Sequence, residues 1–340
     1  MTTRVAFGIF AHNEARDLPR LLDDICTQDI LSDVTVSVEF HLLANGCTDD
    51  TAEVARRHAL KDRLGEAFVV HDFPEGGKSR TWNRFVHEQT PDEADLLGFL
   101  DADIRLGGPG HLSGLVRGLA AREDLRAFVS RPVADRAGAT TLIARAIVRG
   151  GGTSGDWQRA ICGQCYLLRA AAARHIHLPV GLPVEDGFLR AMLLTDCMER
   201  LDGPMSISGN PDLWHLFEPE RTLGGFLRHQ QRIIVGGAVN TALFTALRAE
   251  PDGTRAAELA RAAQDPGWLG RRLREQLPTR QYGWVPWSFL YKRAGHMTAN
   301  LHRPADWLRL VRLPAYFCLD LVVYLRAQYR LARGIGENYW

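Results

Sequence analysis

Two carboxylates stand one residue apart at the end of an apolar run, Gly98-Phe99-Leu100-Asp101-Ala102-Asp103-Ile104. Alternate residues of an extended chain point to the same side, so Asp101 and Asp103 can converge on one ligand. Hard divalent cations such as Mg2+ or Mn2+ prefer carboxylate oxygens, and they share one or two of them with substrate phosphates. The ion then offsets the repulsion between the acids and the phosphates. The plainer alternative is that acids following a strand act as turn formers or helix caps. A second constellation, Cys162-x-x-Cys165 with His175 and His177, has the residue types of a zinc site. Its Cys–His interval, and the single residue between the histidines, do not have zinc spacing.

The elements that must position the acid pair follow from periodicity. Residues 4–11 are β-rich and end in His12-Asn13-Glu14, and Leu18, Leu21, Leu22 and Ile25 then recur on one face of a helix. Residues 34–43 predict a second strand, stopped by Asn45-Gly46, with Asp49 or Asp50 capping the next helix. Residues 67–71 predict a third strand, and residues 78–88 a helix behind the breaker Pro74-Glu75-Gly76-Gly77. Residues 96–100 are nearly all apolar, as a strand is when both sheet faces are covered. This alternation predicts an α/β fold with a mostly parallel sheet and helices on both faces. Ligands of such sheets sit beyond the carboxyl ends of the strands. The polar clusters at 12–14, 45–50 and 101–103 would then meet in one crevice.

Beyond the turn at Gly107-Gly108-Pro109-Gly110 the pattern loosens. Strands are expected at 128–133 and 161–168, a helix from Glu185, and mostly helix over 222–247. Solvated Arg- and Ala-rich helices are expected over 251–280. The glycine-rich stretch 150–155 reads as a flexible loop suited to cover a substrate.

With 46% hydrophobic and 24% charged residues the chain can bury a sizeable core without disulfide support. Its formal net charge of +1 exerts no global pull toward nucleic acid, so any electrostatic function is local. Six scattered cysteines are not a disulfide framework, and the N-terminal residues lack a signal-peptide pattern. A reducing, cytoplasmic setting is the expectation. No run of 18 apolar residues occurs, and the nearest, 313–325, contains Asp320.

Five motifs occur in a fixed order: AHNE (11–14), NGCTDDT (45–51), GGKSRTWN (76–83), DADI (101–104) and VEDGFL (184–189). Order and spacing resemble family-2 glycosyltransferases of the GT-A fold over residues 4–235. The resemblance implies a Rossmann-like, mostly parallel mixed central sheet flanked by helices, with a catalytic domain over 1–245. A helical C-terminal extension over 246–340 would follow. It further implies that Ala11, His12 and Glu14 border the nucleotide pocket, with Glu14 near the ribose. Asn45, where the family often has Asp, would face the base. Lys78 would meet the nucleotide or its phosphates as a point charge. Asp101 would contact the ribose or metal-bound water, and Asp103 would ligate Mn2+ or Mg2+. Gly163 and Gln164 would line the donor sugar and acceptor.

Glycosyl transfer needs an acceptor hydroxyl to lose a proton as it attacks, and a carboxylate within reach can take it. On the resemblance this is Asp186, supported by Glu185; the alternative is a helix start dressed with favourable acids. Direct attack would invert the anomeric centre. His215 is a candidate third ligand for the metal or a phosphate, or else a histidine packed beside Trp214. Gln231-Arg232 partly resembles a Gln-x-x-Arg-Trp motif, but Ile233 stands where Trp would be. Arg232 would still meet a pyrophosphate, whereas Arg221 reads as a solvated arginine.

The implied partners are a nucleotide-diphospho sugar donor and a glycan, lipid-linked or small-molecule acceptor, as in polysaccharide or glycoconjugate synthesis. Two rivals remain: a retaining GT-A transferase resembling mannosylglycerate synthase, and a non-catalytic nucleotide-sugar-binding partner protein. A nucleotidyltransferase is disfavoured, because AHNEARD replaces the glycine-rich basic loop expected after its first strand. In the C-terminal third, Trp284, Trp287, Phe289 and Tyr291 cluster around Pro286, and apolar residues alternate with arginines over 307–333. Such a segment either lies in a membrane interface, making the protein peripheral, or packs on the catalytic domain or a dimer partner.

Overall fold

The structure, a computed structural model, describes residues 2–141, 144–145, 147–148, 156–201, 203–276, 285–291 and 313–333. Eight strands form one mixed sheet: β1 (Thr3–Ala11), β2 (Val36–Asn45), β3 (Phe68–Phe73), β4 (Leu96–Asp101), β5 (Arg105–Leu106), β6 (Ala127–Ala134), β7 (Cys165–Arg169) and β8 (Ile207–Phe217). Their order is β3-β2-β1-β4-β7-β6-β8-β5. β1 pairs in parallel with β2 and β4, and β2 in parallel with β3. β7 runs antiparallel to both β4 and β6. The parallel half therefore ends at Ala11, Asn45 and Asp101 on one edge.

The helices are α1 (Leu18–Cys26), α2 (Thr51–Arg56), α3 (Ala59–Leu64), α4 (Lys78–Arg84), α5 (His111–Ala120), α6 (Ala170–Arg174), α7 (Glu185–Thr195), α8 (Leu223–Ala249), α9 (Arg255–Ala262), α10 (Trp268–Gln276) and α11 (Leu313–Ala332). β1 shows why the sheet is a sandwich filling. Val5, Phe7 and Ile9 enter the core shared with α1 and α5, while Ala6 and Phe10 enter the core shared with α4, α7 and α8. In the second core Phe99 stacks on Tyr166 at 4.7 Å between ring centroids and lies edge-on to Phe85 at 5.5 Å. These are favourable arrangements of the ring quadrupoles.

The expected βα alternation is present through β4, and the expected helix from Glu185 is α7. Three expectations change. β8 has no counterpart among the expected strands, because Asn210-Pro211-Asp212 reads as a turn. The pairing with β6 jumps from Val129↔Gly209 to Arg131↔Trp214, so a bulge absorbs those residues and the strand continues. The strand expected from residue 161 begins only at Cys165. The helices expected to be solvated over 251–280 instead bury Arg255, Glu258, Leu259, Trp268, Leu269 and Leu273. Residue 245 lies inside α8, whose inner face shares one core with β4, α7, α10 and α11. The 150–155 loop, Trp284 and residues 307–312 fall outside the described residues.

Candidate active site

The loops beyond β1 and β2 are sewn to each other. Asn13 adopts a left-handed φ of 58°, which aims its amide across the gap. Its Oδ1 accepts from the Thr48 backbone N–H at 2.7 Å, and its own N–H donates to Cys47 Sγ. Asp49 Oδ2 accepts from the Ala15 N–H at 3.1 Å, and its Oδ1 accepts from Thr51. Asp49 is therefore a stitch between loops, and Asp50 stands at the N-cap of α2 without a side-chain capping bond. Neither Asn13 nor Cys47 stood out in the sequence, since the partners are more than 30 residues apart.

Asn45 differs from its expected role. It is fully buried and donates through Nδ2 to the Ala11 carbonyl at 2.8 Å, while its Oδ1 accepts from the Gly77 N–H at 3.3 Å. Its amide clamps the end of β1 to the loop before α4. Gly46 follows with φ of 59°, and a Cβ there would lie 2.8 Å from the Gly76 backbone. Only glycine permits that approach. His12 is half-buried at the rim, its Nδ1 bonded to the Asn45 carbonyl at 2.8 Å, and Ala11 is fully buried beside it.

Lys78, the first residue of α4, joins two acid groups. Its Nζ lies 2.5 Å from Asp101 Oδ1, 3.0 Å from the Gly163 carbonyl and 3.4 Å from Glu185 Oε1. Burial alone would favour the neutral amine, but Asp101 and Glu185 outweigh it and hold the ammonium above its ordinary pKa. One cation does not neutralise its surroundings. Burial, with Asp103 and Glu185 opposing the pull of Lys78, raises Asp101 to about 6. Burial and the neighbouring Asp103, Asp17, Asp101 and Asp49 raise Glu14 to about 8. Asp103 is solvent-exposed and also raised, chiefly by lost hydration in the cleft. Among the described residues, neither Glu14 nor Asp103 has an ion-pair partner.

Asp186 lies across the cleft in the first turn of α7. Burial and Glu185 raise it to about 6, against the Gly187 N–H donating at 2.7 Å and the charges of Lys78 and Arg232. At Gly163 the left-handed φ of 73° calls for glycine, while a Cβ there would meet Asp186 Cβ at an ordinary 3.5 Å. The loop 162–164 runs between the two acid groups, because the Gln164 carbonyl accepts from the Asp101 N–H at 2.8 Å. Arg232 on α8 is close enough for its charge to act on Asp186. Asp101, Lys78, Gly163, Glu185 and Asp186 are thus brought together, with Glu14 and Asp103 close enough to act on Asp101 or on each other.

His215, the candidate third ligand, sits among protein partners. It is fully buried on β8, with Nδ1 2.8 Å from Ser130 Oγ and Nε2 3.2 Å from Gln164 Oε1. Burial and the neighbouring His111 depress its pKa to about 3. Both ring nitrogens are engaged, and what they fix is Gln164. Ser130, which sets that histidine from the other side, carried no sequence signal. Arg221 pairs with Glu218 and Asp135. Cys162 and Cys165 belong to no metal-ligand cluster among the described residues, and burial raises the two thiols to about 11 and about 12.

Among the described residues no three His, Cys, Asp or Glu side chains form a complete metal-ligand cluster. The donor set does fit a hard cation that completes its shell with substrate oxygens: Asp101 and Asp103 are carboxylates at a cleft carrying excess negative charge. The Lys78 ammonium on Asp101 marks the cleft as a place for positive charge.

No family model matches the chain, and no curated protein matches it. Solved structures do. A mannosyltransferase from Pyrobaculum calidifontis, in complex with GDP-Man and Mn2+, superposes with a TM-score of 0.54 at 17% identity, covering 96% of this chain and 88% of that one. A mannosyl-3-phosphoglycerate synthase from Rubrobacter xylanophilus gives 0.47 at 17% identity, over 73% and 76% of the two chains. A glucosyl-3-phosphoglycerate synthase from Mycobacterium tuberculosis gives 0.46 at 20% identity, over 74% and 81%. The mixed sheet with its helical C-terminal region is the GT-A fold.

Proposed function

We propose that the protein is a metal-dependent glycosyltransferase that moves a sugar from a nucleotide-diphospho sugar to an acceptor hydroxyl, with inversion at the anomeric carbon. The observation that carries this reading is the Lys78 bridge, which joins Asp101 at the end of β4 to Glu185 at the start of α7. The GT-A fold and the mannosyltransferase complex with GDP-Man and Mn2+ support it.

Asp103 and Asp101 would hold a divalent cation, whose charge would stabilise the diphosphate as it leaves. Lys78 adds a fixed positive charge at the same place. Asp186 receives the acceptor proton as the hydroxyl oxygen bonds to the anomeric carbon, and the sugar–phosphate C–O bond breaks with its electron pair leaving on the nucleoside diphosphate. A carboxylate with a pKa of about 6 is ionised at neutral pH and is a stronger base than an ordinary aspartate. Glu185 sustains that basicity by repulsion. Gln164, fixed by His215, and the Gly163 backbone line the space between donor and base. The retaining alternative, in which a histidine acts with Asp-x-Asp, differs in the anomer it would produce.

The test is turnover of a panel of nucleotide sugars with Mn2+, followed by chelation and by NMR of the product anomer. Turnover lost on chelation, with an inverted product, is expected. Activity indifferent to chelation would overturn the metal role, and a retained anomer would overturn the inverting mechanism.

A further inference from the structure

The exposed large apolar side chains are not spread evenly. Of the eleven among the described residues, Val34, Leu201 and Met205 lie apart, and the other eight lie on α8, residues 285–291 and α11. Half of those eight form a stripe on α11: Leu321, Val322, Leu325 and Tyr329, with exposures of 37%, 47%, 58% and 57%. Their spacing, together with exposed Cys318, places them on one helical face.

The opposite face of α11 is committed. Asp320, Val323, Ala327 and Leu331 are buried. Gln231 of α8 donates to the Arg326 carbonyl and Tyr324 Oη to the Val285 carbonyl. The stripe is therefore surplus to packing, and its length makes it a single apolar patch rather than scattered exposure.

Charge and aromatic content say what covers it. The one acid of α11, Asp320, is on the buried face, so the exposed face carries no negative charge. Arg326 and Arg333 are exposed beside the stripe, and the Arg333 guanidinium sits 4.3 Å over the Tyr329 ring. Next to the helix, exposed Trp287 packs edge-on against Tyr291 at 5.7 Å, and Tyr291 reaches Phe317 at 6.0 Å. Apolar residues, interfacial aromatics and arginines without acids are complementary to an anionic lipid surface. No helix among the described residues is long and apolar enough to cross a membrane, and in α11 Arg326 and Arg330 interrupt the apolar run.

We propose that α11, with the Trp287–Tyr291 cluster, docks the protein on an anionic lipid bilayer, lying along the interface. Helix α8 ties that surface to the cleft: Arg232 acts on Asp186, and its neighbour Gln231 grips α11. On the reading of the cleft as a glycosyltransferase site, the acceptor class is a lipid-linked hydroxyl compound.

The test is co-sedimentation of the full chain with vesicles of phosphatidylglycerol mixed with phosphatidylcholine, against pure phosphatidylcholine. The expected result is binding to the anionic vesicles that weakens with salt and by roughly fivefold for each of Arg326→Gln and Arg333→Gln, and is abolished by Leu325→Glu/Val322→Glu. The variants should keep the wild-type melting temperature and turnover of soluble donor. If the apolar variant melts early, the salt and arginine series decides. Wild-type protein left in the supernatant of both vesicle types would overturn the proposal. So would a stable dimer of the full chain that Leu325→Glu converts to monomer, because the stripe would then belong to a second copy. Vesicle binding without any donor turnover would instead sink the enzymatic reading and leave the surface standing.

Discussion

Two cations in this protein, each held by several oxygens, do opposite things. Arg255 of α9, with 8% of its side chain exposed, donates to the carbonyls of Leu247, Met198 and Glu250 and pairs with Glu199 and Asp252. Every arm of the guanidinium is matched, and the result is a bolt between the end of α8 and the turn after α7. Lys78, 18% exposed, meets three oxygens, but Asp101, Glu185, Asp186 and Asp103 crowd one ammonium. Matched charge fixes structure. Burial first, and then unmatched charge of one sign, leaves acids with raised pKa values, which marks a candidate binding site for a cation and a proton.

Consequences that separate the two centres differ in size. Asp186→Asn should lower turnover by about 10²–10⁴-fold, the usual contribution of a general base, while leaving donor binding by calorimetry intact. A full-rate enzyme would remove Asp186 from the mechanism. Arg255→Met should cost about 3–5 kcal/mol in denaturant unfolding, because it strands buried partners, and should leave turnover per folded molecule unchanged. Equal stability to wild type would end the bolt interpretation.

The pH dependence tests the charge imbalance itself. Asp101 and Asp186 are raised to about 6 and Glu14 to about 8, so between about pH 4 and 8 the folded state holds protons that the unfolded state has released. From these groups stability falls as pH rises through that window. Mn2+ should therefore raise the melting temperature more at pH 8 than at pH 5.5, and Asp103→Ala should erase the difference. A Mn2+ shift independent of pH would show that the cation binds elsewhere. The smallest effect is expected at Ser130→Ala, which removes one hydrogen bond to His215 and should cost about 1 kcal/mol. It should raise KM for the donor through a loosened Gln164 while leaving Mn2+ affinity unchanged. A loss of Mn2+ affinity would return His215 to the metal.

Much of the fold was legible because local patterns and the global sheet agree. Leu18, Leu21, Leu22 and Ile25 announce α1, and the apolar run before Asp101 announces a strand covered on both faces. The legible part ends where partners are distant. His215 has a metal-binding residue type in a suggestive place, yet its role depends on Ser130 and Gln164, 85 and 51 residues away. Asn45 has the polarity of a base reader but is consumed by Ala11 and Gly77. Arg255 and Glu258 look solvated in an Arg- and Ala-rich stretch, and only the packing of α9 and α10 against α8 buries them.

The amino-acid order by itself determined the βα alternation, the strand ends that carry polar clusters and the paired acids at 101/103 and 185/186. Each is a property of near neighbours along the chain, governed by backbone periodicity and residue chemistry. Tertiary structure alone decided which acids share a cation, which side chains surround His215, and which apolar side chains of α11 are left over after packing. Those outcomes depend on burial and on charges from remote segments, and electrostatic energy in a cleft is a sum over everything nearby in space.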